Sequence, residues 1–294
     1  MIKLDTILYK VRVAVILLTA LYSLSAAAQQ SQAGSATDCR TVTRLLSEAK
    51  GLSADVNLPL HFARQFLDRP YVAHTLEVND EERLVVNTQQ LDCTTLVEIV
   101  TALTLCTRRR QFAYADFCST LQAMRYRDGR IDGYPSRIHY FTEWITENSR
   151  AGIVTEIQQP NPPFKSVQTV RVSYMSQHPQ AYKALKSHPG FVTKIRQMEQ
   201  RISGQQFRFI PKSEVRNTEA LRRAVADGDI IAITCNKPGL DIAHLGFAVW
   251  RNDGLHLLNA SQLHKRVVEE PMTLGEYLSK HPSHTGIRII RIRK

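Results

Sequence analysis

The last third of the chain constrains the fold most tightly. Two apolar runs, "HLGFAVW" and "LHLLNAS", are joined by "RNDG", and an Asn-Asp-Gly turn between apolar runs marks a β-hairpin. Neighbouring stretches extend the pattern. "ADGDIIAITC" and "GIRIIRIR" read as strands, "KRVVEE" as a further one, and "TLGEYLSKH" as a short helix between the last two. The chain before this region has a different texture. "DCRTVTRLLSEAKG" has apolar residues at helical spacing with Gly51 at its end, and "LHFARQFLDRP" reads as a second helix stopped by Pro70. "RLVVN" is expected to be a short strand. "CTTLVEIVTALTL", "YADFCSTLQAM" and "IHYFTEWITENS" are helical patterns, and "RYRDGRIDGYPSR" is a loop. "QQPNPPF" marks a linker, "VQTVRVSYM" alternates like a strand, and residues 177–200 are mostly helical, broken at "HPQ" and "HPG". Helices followed by a mainly antiparallel sheet make this an α+β chain.

The amino terminus speaks about compartment. "MIKLDTILYKVRVAVILLTALYSLSAAAQQ" has a basic start, a short apolar core and small residues at Ala26–Ala28, the layout of a secretory signal peptide over residues 1–28. An uncleaved anchor is the alternative reading, and either one takes residues 29–294 out of the cytoplasm. The apolar core is short for a membrane span, so no stable membrane insertion is expected after cleavage. The formal net charge of +11 favours anionic partners. The basic residues are scattered and the chain is exported, so nucleic acid is not expected; acidic wall polymers or peptide carboxylates fit better, and a solvated basic face better still. Five cysteines form no Cys-x-x-Cys, which removes the usual zinc and redox spacings. Cys106 and Cys118 lie on apolar helix faces and are expected to be buried; whether Cys39 pairs with Cys235 stays open.

Cys93 stands apart. In "NTQQLDCTTLVEIV" it opens a helix, with Asp92 able to accept from the free N–H groups of the first turn and Thr95 and Glu98 at capping-box spacing. A helix start stabilises a thiolate and offers N–H donors to an oxyanion, so a nucleophile suits the position. A nucleophilic thiol also requires a histidine, and the histidine requires a polar group to orient it. His244 begins the first hairpin strand beside Gly246, and Asn259 lies on the partner strand; His256 is a rival orienter, but its odd spacing from Asn259 turns it to the opposite face.

"RPYVAHTLE", "LVVNTQQLDCTTLVE", "DGYPSRIHYFTEWI", "GDIIAITCNKPGLDIAHLGFAVW" and "HLLNAS" together resemble the N-acetylmuramoyl-L-alanine amidase-like family, a branch of the papain-like, NlpC-type cell-wall cysteine hydrolases. The resemblance runs from about Phe62 to the carboxyl terminus. It implies a papain-like core, with the nucleophile's helix packed on an antiparallel sheet, in a single domain over 29–294 that carries a helical insertion around 107–205. It also implies export to the periplasm, with Cys93 as nucleophile and His244 as base. Relatives often carry histidine at the third position, where this chain has Asn259, an amide equally able to orient an imidazole. Tyr71 resembles a tyrosine that helps hold the reacting carbonyl, beside the nucleophile and Asp92.

Substrate contacts are expected from the loop before the third helix. Arg137 is read as a clamp for a carboxylate, with Tyr134, His139 and Tyr140 around it and Trp144 as a core anchor. "HPSH", residues 281–284, has metal-like spacing, but its proline breaks the helix such a pair needs, and it reads as a surface loop. The expected activity is hydrolysis of the amide between N-acetylmuramic acid and L-alanine in peptidoglycan or muropeptides, without metal or organic cofactor. An endopeptidase cutting between D-glutamate and the diamino acid is the near alternative. A non-catalytic wall-binding module is the alternative of another class.

Overall fold

The computed structural model describes residues 33–293, so the expected signal peptide lies outside the described residues. Five helices come first: α1 (Ala36–Ala49), α2 (Leu58–Arg64), α3 (Cys93–Arg108), α4 (Tyr114–Arg125) and α5 (Phe141–Arg150). Strands β1 (Val154–Ile157) and β2 (Ser166–Thr169) follow, then the helical stretch α6 (Tyr174–Gln177), α7 (Lys183–Ser187) and α8 (Gly190–Ile202). β3 (Gln206–Pro211) and α9 (Glu219–Ala224) lead into β4 (Ile230–Cys235), β5 (Ile242–Trp250), β6 (Leu255–Ser261), β7 (Arg266–Glu269), α10 (Leu274–Ser279) and β8 (His284–Ile292). The α+β reading stands.

The strands form one antiparallel sheet in the order β2-β3-β8-β4-β5-β6-β7, with β1 added along the far half of β8. Alternation along β4 divides the interior. Ile230 and Ala232 face a large core shared with α1 to α5, while Ile231 and Ile233 face a second core with Leu221, Leu274 and Leu278. The helical stretch has a small core of its own, where Leu185, Ile195 and Met198 meet Tyr134 and Tyr140. Helix α3 is buried from Thr95 to Cys106 on every side, since apolar residues on all its faces leave only Glu98 and threonines among them, and it packs between the other helices and β5. That packing brings its amino terminus to the sheet.

Several local expectations change. "RLVVN" is not a strand: the Arg125 guanidinium takes the Val85 carbonyl and the Val86 N–H donates to the Ala33 carbonyl, so its backbone groups have partners elsewhere. The expected Thr95–Glu98 capping box sits three residues earlier, between Asp92 and Thr95, while Glu98 forms a buried ion pair with Arg125 at 2.7 Å. Helix α1 ends on Lys50 in ordinary right-handed geometry rather than on a left-handed Gly51. All five cysteines are free, Cys39 and Cys235 included. Among the described residues no helix is long and apolar enough to cross a membrane.

Candidate active site

Cys93 is the first residue of α3. Asp92 caps the helix, its Oδ1 accepting from the Thr95 N–H at 2.8 Å and from the Thr95 hydroxyl at 2.9 Å. The turn ahead is pinned from the other side: Asp38, on α1, accepts from both the N–H and the hydroxyl of Thr88 at 2.7 Å. The sulfur is therefore fixed by backbone that cannot drift. Its own N–H, the Thr94 hydroxyl and the Leu245 N–H are near enough to favour its thiolate. Leu245 is the residue after His244, so the start of α3 meets the start of β5 at this point.

Burial first, and the Asp92 carboxylate second, push the Cys93 thiol up to about 12 against those donors. This corrects the expectation that the helix start leaves the sulfur ionised: desolvation outweighs the favourable dipole. His244 is also buried enough to be lowered from its ordinary value, against its bond to the Asn259 amide oxygen and the charge of Glu270. Both reactive groups rest neutral at neutral pH.

A bulge in the β4–β5 ladder, where Ile233 pairs with His244 but Thr234 pairs with Ile242, aims the imidazole. Gly246, two residues on from His244, offers room near the base by lacking a side chain. That room serves strand approach, since a Cβ there would meet the Leu258 carbonyl at 2.6 Å. With β6 that close, His244 Nε2 lies 2.9 Å from Asn259 Oδ1. Asn259 Nδ2 faces Glu270 Oε1 at 3.0 Å, so the amide oxygen is the end turned toward the imidazole. An amide oxygen only accepts, which puts the imidazole proton on Nε2 and leaves the Nδ1 lone pair open. His256 faces the other way, bonded to the Glu270 carbonyl and to Asp253.

Tyr71 is half-buried, and burial with the nearby Cys93 and Asp92 raises its phenol to about 12. It is therefore a neutral hydroxyl beside the sulfur. Tyr277, likewise raised to about 12 by burial, Glu270 and Cys93, stacks on the His244 ring at 6.5 Å. "HPSH" is a turn with Pro282 exposed, as expected of a surface loop, but its two imidazoles face inward: His281 lies 4.5 Å and His284 5.9 Å from the Tyr277 ring, and the two imidazoles stack at 4.7 Å. The proline ends α10 so that both rings fold back under Tyr277. Burial, then the surrounding cationic groups His281, His244, Lys237 and Lys212, lower His284 to about 4. Its Nδ1 is buried without a partner. Tyr277, His264 and Glu270 carry no motif; the 6.5 Å ring contact reveals the first and contacts of 3.0 Å the other two.

The expected substrate residues sit differently. Arg137 is 5% exposed and engaged by Glu77 at 2.7 Å and Glu82 at 3.3 Å, its guanidinium 4.9 Å from the Tyr134 ring. Tyr140 donates to Glu199 at 2.8 Å and accepts from the Met175 N–H. His139 bonds the Tyr134 carbonyl at 3.0 Å, and burial with the Arg137 charge brings it down to about 3. Of the four, only Tyr134 lines a cavity of about 1290 Å³, with Glu77, Glu82, Arg83, Arg130 and Phe191 among its walls. That cavity does not include Cys93, His244 or Asn259; the segment leading from Tyr71 runs onward along its wall. Among the described residues no cluster of three or more His, Cys, Asp or Glu side chains is arranged to hold a metal ion.

A family model described as N-acetylmuramoyl-L-alanine amidase-like matches residues 61–287. The crystal structure of an N-acetylmuramoyl-L-alanine amidase from Bacteroides uniformis is 41% identical with a TM-score of 0.75, over 81% of this chain and 98% of that one. A Bacteroides fragilis protein whose name carries a provisional xylanase assignment is 39% identical with a TM-score of 0.74, over 79% and 100%. A Legionella pneumophila protein, 20% identical, shares the fold with a TM-score of 0.68 over 92% and 97%. No curated protein matches the chain.

Proposed function

The chain belongs to the N-acetylmuramoyl-L-alanine amidase-like family, and from that premise we propose that it is a periplasmic cysteine amidase with a papain-like core, cutting the bond between N-acetylmuramic acid and L-alanine in muropeptides. The family supports a cell-wall amidase-like hydrolase acting on a peptidoglycan-related substrate. The observation that carries the finer reading is the His244–Asn259 bond of 2.9 Å, set one residue from the backbone N–H that reaches the Cys93 sulfur.

In this reading the neutral imidazole takes the thiol proton on Nδ1 as the sulfur attacks the lactyl carbonyl. The tetrahedral oxyanion is held by helix-start N–H groups and the neutral Tyr71 hydroxyl. The imidazolium, oriented through Nε2–H by Asn259, then gives its proton to the departing L-alanine nitrogen. A water, deprotonated by His244 Nδ1, attacks the thioester and releases muramic acid, and the imidazolium so formed returns its proton to the sulfur. Because both groups rest neutral, proton transfer accompanies attack and no standing ion pair is needed. A glycosidase needs two free carboxyl groups flanking its bond; Asp92, the acid next to the sulfur, is occupied as a helix cap. The 107–205 stretch is read as an insertion in a single domain, although α4 and α5 within it join the main core and only its later part, with Tyr134 and Tyr140, has a small core of its own.

The test uses defined muropeptides and product masses. Release of an intact stem peptide with a free L-alanine amino group supports the proposal. Cleavage after D-glutamate, with the sugar–peptide bond intact, moves the scissile bond and overturns it.

A further inference from the structure

The polar chain does not stop at Asn259. Glu270 Oε1 accepts from Asn259 Nδ2 at 3.0 Å, and Glu270 Oε2 lies 3.0 Å from Nε2 of His264. Asn259 is fully buried and Glu270 is 1% exposed, while His264 reaches the surface. The Glu270 backbone is anchored on both sides, its N–H donating to the Leu257 carbonyl at 2.9 Å and its carbonyl facing His256 Nδ1 at 2.9 Å. We propose that Glu270 is a positioning residue that fixes which end of the Asn259 amide faces His244, with His264 holding the carboxylate in place.

The physical need is specific. An asparagine amide turned end for end keeps its shape but exchanges an acceptor for a donor. With the oxygen toward His244, the imidazole carries its proton on Nε2 and presents a basic Nδ1. Turned over, the NH2 group would donate to Nε2, the proton would move to Nδ1, and the lone pair would point away from the thiol. What decides between these states lies on the far side of the amide. Glu270 Oε1 at 3.0 Å and the Leu257 carbonyl at 3.5 Å are both acceptors. A turned amide would set its oxygen against both in a site without water access, leaving buried acceptors unpaired. The carboxylate is the nearer and stronger of the two, so Glu270 holds the choice. His256, set on the opposite face of β6, acts only by fixing the Glu270 backbone.

This inference rests on the reading of His244 as the base, and its test is built to fail separately from that reading. The full described protein is labelled with ¹⁵N-histidine, and two-bond ¹H–¹⁵N correlation reports which His244 nitrogen is protonated; the signal is assigned by its loss in His244→Gln. The unsubstituted protein is expected as the Nε2–H form. Glu270→Met, of similar volume and without an acceptor, is expected to populate the Nδ1–H form. Its kcat on a muropeptide should fall by about 10²-fold with KM within about threefold, short of the roughly 10⁴-fold loss of a triad locked in the wrong tautomer because the Leu257 carbonyl still favours the original amide orientation. Glu270→Gln can still accept from Asn259 Nδ2 and donate to His264, so it should keep the Nε2–H form and recover most of the lost kcat. Retention of the Nε2–H form in folded Glu270→Met overturns the proposal, as does Glu270→Gln behaving like Glu270→Met, which would make charge rather than orientation the cause. If Glu270→Met does not fold, the tautomer in Glu270→Gln decides alone. A protein whose tautomer responds as expected but that releases no stem peptide leaves this inference standing and removes the assigned activity.

Discussion

Two segments rich in aromatic and charged side chains look alike in the sequence and behave oppositely in the fold. In residues 134–140 the charged and ring groups are held by the rest of the chain: Arg137 pairs with Glu77 and Glu82, Tyr140 donates to Glu199, and His139 bonds the Tyr134 carbonyl, with Arg137 Nε the one buried side-chain atom left without a hydrogen bond. In residues 277–284 the rings of Tyr277, His281 and His284 stack beside His244, and a buried ring nitrogen of His284 is left without a partner. The first segment is a fastening between the helical stretch and the main core. The second is a wall of the candidate site. Residue type did not separate them; what each segment packs against did.

The widest gap between the two should appear in stability. Arg137→Leu leaves the carboxylates of Glu77 and Glu82 facing one another without their cation, a loss on the order of 3–5 kcal/mol for a broken buried pair. Denaturant unfolding should register it, while kcat per folded molecule stays within about threefold. A stable Arg137→Leu protein with a KM raised tenfold or more would return Arg137 to the substrate and break the contrast.

Asn259→Leu should do the reverse on the other side. It removes the acceptor for His244 Nε2–H, and kcat is expected to fall about 10²-fold with KM little changed. Steady-state kinetics on a muropeptide checks this.

The pH profile sharpens the difference next. His244 must be deprotonated to act, and burial lowers it, so activity should persist below the ordinary histidine value and be lost as pH falls through that depressed value. The 134–140 segment contributes no titration there, because His139 lies at about 3. Cys93, at about 12, should give slow iodoacetamide labelling at neutral pH that keeps rising into alkali. A plateau in labelling from pH 6 upward would mean a standing thiolate, contrary to the resting state described here.

The smallest effect belongs to His281→Ala. Half-exposed and packed on Tyr277, it should cost less than about 0.5 kcal/mol of stability, yet lower kcat/KM several-fold by loosening the ring beneath His244. An unchanged kcat/KM would reduce the ring stack to scaffolding.

Much of this was legible in the chain. Period-two and period-3.6 patterns located the hairpin, the last strand and α3, because their apolar faces are set by burial on a single sheet or core. The helix start at Cys93 and the facing of His244 and Asn259 across the hairpin were legible because each follows from a backbone position that the apolar pattern sets; the roles proposed for them rest on that placement. β1 and β3 were not, since they are short and take their order from pairing with β8. "RLVVN" misled because strand composition says nothing about where backbone groups find partners. The ionisation of Cys93 misled for a related reason: a helix start is local and visible, whereas the burial that overrides it is assembled from α3 and β5 together. Glu270 and His264 were illegible because a buried carboxylate is recognised by its distances, not by its neighbours in sequence.

The central claim is that sulfur 93 makes the bond to the substrate carbonyl, and the most direct measurement is the rate of stem-peptide release by Cys93→Ala. The account predicts a fall of at least about 10³-fold with circular dichroism and unfolding midpoint preserved. Release within tenfold of the unsubstituted rate, from a variant that folds, would contradict it.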